Sequence, residues 1–341
     1  MVSDEDFRVD QRSLRLVYEN WPEHFRSAAS LATSIDRDPT FYDSVFFCGM
    51  GGSATSCDIL NGLTQFYGNK YSAVVRGGRM PNSLNSHSLV IVNSVSGNTE
   101  EAILMAKEAS DKNAEVICIS SGGILKDFAS SRSLKQVTIP SLSVPRASLP
   151  YLLVPGLRLI SPFLDMSISN ELGIIHEKLM EERNRICSEI PMETNIAKKV
   201  ASFLRDSFVF CFTSPFMISV GTRFKNSLNE NAKTHCTKES ILESMHNEIV
   251  PFTFDTNGFA RKVIFLKWHM DTLFVHEKFN KVQSLFNEIG QSYMEISSQE
   301  NSLLSAILRS IYLLDFATVY MAITYGIDPT PTPAIDIIKN L

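Results

Sequence analysis

Two short stretches place glycine and small hydroxyl residues directly after apolar runs. CGMGGSAT (48–55) follows SVFF, and NSVSGNTEE (93–101) follows LVIV. Gly49, Gly51 and Gly52 let a backbone approach a ligand closely. Ser53, Ser94, Ser96 and Thr99 offer hydroxyls where a helix should begin. The N–H groups and dipole of a helix start hold an anion without Lys or Arg. Neither stretch has the GxGxxG spacing of a dinucleotide loop, and neither has a Walker lysine. A phosphate ester is therefore the ligand that suits them. A plainer reading stands beside this one, because Ser and Thr are common N-caps and Asn98 or Thr99 with a nearby Glu can simply cap a helix. Two such turns in one half of the chain favour the anion.

The elements that position these turns are legible in the apolar pattern. Residues 44–48, 72–75, 89–93 and 115–119 read as short strands, with helices over 53–67 and 98–110. Strands separated by helices predict a parallel sheet built from βαβ units. The second half repeats the theme: SFVFCFTSPFMISVGTRFKNSL from Ser207 echoes SVFFCGMGGSATSCDILNGL from Ser44. Residues 262–267 then mirror 89–93, with a helix over 271–288. Residues 151–190 read as mostly helical and 301–325 as one long apolar helix, whether core or dimer surface. The chain of 341 residues is too long for one ordinary core. The expected division is a first domain of 1–155, a second of 156–325, and a tail of 326–341 with a short last helix.

Composition excludes several classes. With 44% hydrophobic and 20% charged residues the chain reads as globular, and a net charge of −5 argues against a nucleic-acid partner. The six cysteines, Cys48, Cys57, Cys118, Cys187, Cys211 and Cys236, form no CxxC pair. They read as reduced structural thiols of a cytoplasmic protein. His235 beside Cys236 is weak evidence for zinc without further ligands at metal spacing. The acidic N-terminus lacks the apolar core of a signal peptide. No apolar run reaches the ~18 residues that a membrane span needs.

GMGGSA, SVSGNTEE, PRASLPYL (145–152), NENAK (229–233), HNE (246–248) and the DPTP…IK ending occur in this order through nearly the whole chain. Together they resemble the bifunctional phosphoglucose/phosphomannose isomerases of the sugar isomerase (SIS) superfamily. The serine turn alone marks only an SIS domain, whereas the combination is far more specific. The resemblance implies an α/β fold of two SIS-type domains, each a flavodoxin-like doubly wound parallel sheet flanked by helices. It implies that Gly51, Gly52 and Ser53 form a first sugar-phosphate loop and that Ser94, Ser96 and Thr99 hold the phosphate. Arg146 matches the arginine beside the sugar's C1–C2 region. Glu230 matches the base, His246 the ring-opening histidine, and Lys339 the lysine near the ring oxygen. Thr332 stands seven residues before that lysine, where the family carries a threonine linked to its mannose activity. Val95 replaces a usual aromatic and Ala54 a common glycine, at positions that give no hydroxyl to the phosphate. The resemblance also implies a homodimer with active sites at the interface, His246 reaching the neighbouring subunit.

The residue types suit that chemistry in their own right. Interconverting an aldose and a ketose phosphate requires opening the ring and moving a proton between C2 and C1. A carboxylate can take that proton, and a fixed cation can stabilise the enediolate oxygens. A histidine titrating near neutrality suits exchange between oxygens. Neither metal nor cofactor is called for. Outside these motifs Glu230 and Lys339 would read as solvated, and His246, His269 and His276 as surface or interface residues. Arg146, after Pro145 in an apolar stretch, wants an anion on its own account. The expectation is a cytoplasmic isomerase of hexose 6-phosphates in glycolysis and gluconeogenesis. The rivals are a non-catalytic SIS sugar-phosphate sensor and another SIS isomerase.

Overall fold

The computed structural model describes residues 6–254 and 258–339, with the side chains of Asp6 and Lys339 outside the description. The chain divides into two compact units, Asn20–Glu177 and Met1–Glu19 with Lys178–Leu341.

In the unit Asn20–Glu177 the strands are β1 (Ser44–Gly49), β2 (Tyr71–Val75), β3 (Ser88–Asn93), β4 (Glu115–Ser120) and β5 (Lys135–Thr138). They form a parallel sheet in the order β2-β1-β3-β4-β5. This is the flavodoxin-like order, whose winding reverses between β1 and β3. Every residue of β1 and β3 is buried, as a parallel sheet covered on both faces requires. Alternate residues Phe46, Cys48, Val90, Val92, Val116 and Cys118 pack one face against Ala102, Met105, Ala106 and Ala109. Those four recur at the helical i, i+3, i+4, i+7 spacing of helix Glu100–Asp111. Helix Gly51–Tyr67 packs against β1 and against helix Leu149–Ile160, whose side chains are buried apart from Arg158.

The other unit holds β6 (Phe208–Thr213), β7 (Cys236–Ser240), β8 (Arg261–Trp268) and β9 (Tyr293–Ser298), parallel in the order β7-β6-β8-β9. It is the same winding with one strand fewer. Phe212, Val263, Phe265, Phe252, Phe279 and Phe286 fill one side. Helix Leu303–Thr324 packs on helices Ile196–Leu204 and Ile218–Ser227, and all its residues but Arg309 and Thr324 are buried. By length and hydropathy it could cross a membrane, which amends the run-length reading of the sequence. Its burial among protein helices accounts for its apolarity. Helix Leu14–Glu19 packs on it too, and Arg223 Nη2 donates to the Tyr18 hydroxyl at 3.2 Å.

Two parallel α/β sheets are what the apolar pattern predicts. The strands it did not show, β5, β7 and β9, lie at sheet edges and carry polar residues. The two units meet in the sequence inside helix Ile168–Ile186, and helix Leu149–Ile160 packs on helix Gly51–Tyr67. All six cysteines are free. Burial pushes the Cys57 and Cys118 thiols up to about 12, so they stay protonated. His235 stacks on Phe208 while Cys236 Sγ turns to the Thr237 carbonyl.

Candidate functional site

β1 and β3 run in register from Ser44 opposite Ser88 to Gly49 opposite Asn93. Their C-terminal ends are level, at the crevice where ligands of such sheets bind. Both chains then turn directly into helices. After β1, Met50 is the N-cap of helix Gly51–Tyr67 and makes no side-chain bond to it. Gly51 takes φ +52, a left-handed conformation that favours glycine. After β3, Thr99 is the N-cap of helix Glu100–Asp111, and it too makes no side-chain cap. The plain capping reading of these hydroxyls does not describe the geometry.

The hydroxyls tie the two turns together instead. Val95 N–H donates to Ser53 Oγ at 3.3 Å, Asn93 Nδ2 to Ser56 Oγ at 2.7 Å, and Ser56 Oγ to the Ser53 carbonyl at 2.7 Å. Ser94 Oγ accepts from Gly97 N–H at 3.2 Å and donates to Thr99 Oγ1 at 3.1 Å. Ser96 Oγ accepts from Asn98 N–H at 3.2 Å. Ser53, Ser96 and Thr99 thus each have an oxygen fixed by a protein donor. Among the described residues the hydrogen of each has no acceptor, so each can donate to a ligand. Gly97 sits at φ +68, and a Cβ there would lie 1.8 Å from the Gly122 carbonyl oxygen. Asn98 Oδ1 accepts from Ile124 N–H at 3.1 Å and so binds the turn to the next helix start. Val95 and Ala54 are buried, and Val95 serves the turn through its backbone.

Arg146 lies half-buried on the single turn Pro145–Ala147, which packs against helix Gly51–Tyr67. Trp21 Nε1 donates to the Ala147 carbonyl at 2.8 Å and fixes that turn. The unit therefore gathers Gly51, Gly52, Ser53, Ser94, Ser96 and Thr99 at one sheet edge, with Arg146 on an adjoining element.

In the other unit, helix Ile218–Ser227 runs into a π-helical turn, Leu228–Ala232, that presents Glu230 half-buried. Single π turns recur at functional sites. Its anchors lie on both sides. Arg223 and Ser227 bind the buried Asp315, and Asn231 Nδ2 donates to Thr318 Oγ1 at 2.8 Å. Burial would pull the Arg223 guanidinium down, but Asp315, then Tyr18 and Glu230, hold it above its ordinary value. Lys233 Nζ donates to the Glu230 carbonyl, to Pro329 O at 3.2 Å and to Pro331 O at 2.8 Å. Thr332 follows at once and accepts from Ile335 N–H at 3.0 Å, starting helix Pro333–Lys339. The Lys339 side chain lies outside the described residues.

Lys233 thus joins the backbone of Glu230 to that of Pro331, the residue before Thr332, whereas His246 stands apart. It is exposed, after helix Ile241–Ser244. Glu230 precedes β7 and His246 follows it, so five residues of strand, roughly 16 Å, separate their two edges. Asn93 opens NSVSGNTEE and Asn231 stands in NENAK, neither with a role there. A signal for Asn93 exists in the sequence, since a polar amide closes the apolar run LVIV of 89–92. Lys233 closes NENAK, and the motif by itself gives it no role.

A family profile described as "Bacterial phospho-glucose isomerase C-terminal SIS domain" matches residues 193–341. A bifunctional phosphoglucose/phosphomannose isomerase of Caldicellulosiruptor bescii is 30% identical over 326 residues, covering 94% of this chain and 96% of that protein. Another, from Aquifex aeolicus, is 25% identical over 309 residues, covering 90% and 92%. The solved structure of a hypothetical protein from Thermus thermophilus superposes with a TM-score of 0.76 at 14% identity, covering 96% of this chain and 89% of that one.

Proposed function

The chain belongs to the bifunctional phosphoglucose/phosphomannose isomerase family, and from that premise we propose that it interconverts glucose 6-phosphate and mannose 6-phosphate with fructose 6-phosphate. One observation carries the reading. The helix starts after β1 and β3 lack side-chain caps, and Ser53, Ser96 and Thr99 hold hydroxyl hydrogens with no acceptor among the described residues. A phosphate ester supplies the oxygens that such a start accommodates.

With the phosphate on these hydroxyls and on the Gly51–Gly52 backbone, the sugar's other end is worked on by acid–base groups. His246 and Lys339 open the ring by passing the O1 proton to the ring oxygen as its bond to C1 breaks. Glu230 then removes the C2 proton, and Arg146 offsets the charge on the enediolate oxygens. The same carboxylate returns the proton to C1, and the O2 proton moves to O1, which leaves the ketose. Mannose 6-phosphate differs only at C2 and joins through the same enediolate once it rotates about C2–C3, with Thr332 beside that step. Proton transfers between protein groups suffice, so no metal or cofactor takes part.

The working form is a cytoplasmic homodimer in the sugar-phosphate flux of glycolysis and gluconeogenesis, without nucleic-acid or membrane partners. The length of β7 between Glu230 and His246 supports a histidine that serves the neighbouring subunit. A coupled assay on the purified protein with each hexose 6-phosphate, with and without EDTA, tests the reading. Turnover of both, indifferent to the chelator, is expected. Glu230→Gln should keep ligand binding and lose about 10²–10⁴-fold in kcat. A wild-type protein that binds the esters but turns over none is a sensor.

A further inference from the structure

Lys233 closes the π turn in a left-handed conformation, φ 54 and ψ 32, which residues with a Cβ rarely adopt. Something must hold it there. Its ammonium has three hydrogens and no acceptor capacity, and it meets three backbone carbonyls: those of Glu230, Pro329 and Pro331. The last two belong to DPTPTP (328–333), a tail whose prolines lack the N–H groups with which a chain builds its own regular structure. Within the tail Thr330 N–H donates to Asp328 Oδ1 at 2.9 Å, and the Lys233 ammonium adds a donor from outside the tail to the Pro329 and Pro331 carbonyls. A charged donor makes the stronger kind of hydrogen bond. On the other side of Glu230, Asn231 is tied to Thr318.

We infer that Lys233 is a positioning residue for the isomerisation, holding the backbone of Glu230 and the backbone before Thr332 in one register and so setting the balance between glucose and mannose substrates. The inference rests on the isomerase reading, with Glu230 as the base and Thr332 beside the mannose step. Lys233 has no role at the phosphate, which the serine turn holds. Loss of its ammonium lets the base and the tail drift relative to each other and leaves phosphate capture unchanged.

The test compares wild type, Lys233→Met and Lys233→Arg on glucose 6-phosphate and mannose 6-phosphate, with thermal unfolding of each protein. For Lys233→Met, kcat on glucose 6-phosphate should fall about tenfold to a hundredfold, the scale of a misplacement near 1 Å. KM should stay within about threefold, and the mannose-to-glucose ratio of kcat/KM should shift by at least about threefold. Lys233→Arg keeps the charge but offers a planar fork in place of three divergent N–H groups, so it should show the same ratio shift with a smaller fall in kcat. It decides the question if Lys233→Met does not fold. Activity unchanged in the variants, or equal losses on both substrates with the ratio intact, overturns the inference. A wild-type protein inert toward both esters would instead overturn the isomerase reading itself.

Discussion

Asp315→Asn should unfold the unit that carries Glu230 far more easily while barely altering any side-chain volume. Asp315 is wholly buried in helix Leu303–Thr324. It accepts from Arg223 Nε at 3.2 and 3.1 Å, from Arg223 Nη2 at 2.8 Å, and from Ser227 Oγ at 2.6 Å. Arg223 is just as hidden, at 2% exposure. The amide would remove the balancing charge and turn an NH₂ group toward donors. Breaking a buried pair from one side costs about 3–5 kcal/mol, because the partner charge stays buried without compensation. At about 2–4 °C per kcal/mol for a unit of this size, Tm should fall by roughly 6–20 °C. The two tryptophans allow the units to be read separately, since Trp21 lies in one and Trp268 in the other. Urea titration in a Trp21→Phe background, followed by Trp268 fluorescence, should show a lower midpoint with an unchanged slope. The double variant Arg223→Met/Asp315→Leu should recover most of the loss. A single variant within about 1 kcal/mol of wild type would refute the ion-pair argument, and a double variant no better than the single would move the cause to packing.

Two further outcomes probe the turn after β3 and the HNE segment. Thr99→Val should raise KM for hexose 6-phosphates about tenfold to a hundredfold, the scale of one hydrogen bond to a charged group. Its stability should change by less than about 1 kcal/mol because Thr99 makes no cap; a large stability loss with KM unchanged would restore the capping reading. Glu248 has its carboxyl raised above the ordinary 4.5, first by burial and then by Glu239, and its buried Oε2 has no hydrogen-bond partner among the described residues. A carboxyl with a raised folded value binds its proton more tightly when folded. Its stabilisation is therefore full below about 4.5 and lost as pH rises through the folded value. Glu248→Gln should raise Tm at about pH 8 and lose that advantage at about pH 4, by calorimetry at both; an equal gain at both would exclude the carboxyl's titration as the cause.

The amino-acid order by itself determined the features that are local in the chain. The apolar runs of β1, β3, β6 and β8 predict buried parallel strands, because a strand covered on both faces needs no alternation. Glycines and hydroxyls at 49–53 and 94–99 predict turns that open into helix starts, since φ and donor placement depend on a few consecutive residues. Contacts far apart in the chain were decided only by the tertiary structure. Val95 meets Ser53 because β1 and β3 are neighbours in register, which sequence spacing does not state. Lys233 meets Pro331 across 98 positions, and Tyr18 meets Arg223 across 205. Periodicity marks helix Leu303–Thr324 as apolar but not what covers it, because a lipid, a partner subunit and a domain core all select the same side chains. Only the packed helices around it, with Asp315 answering Arg223 inside, assign it to the core.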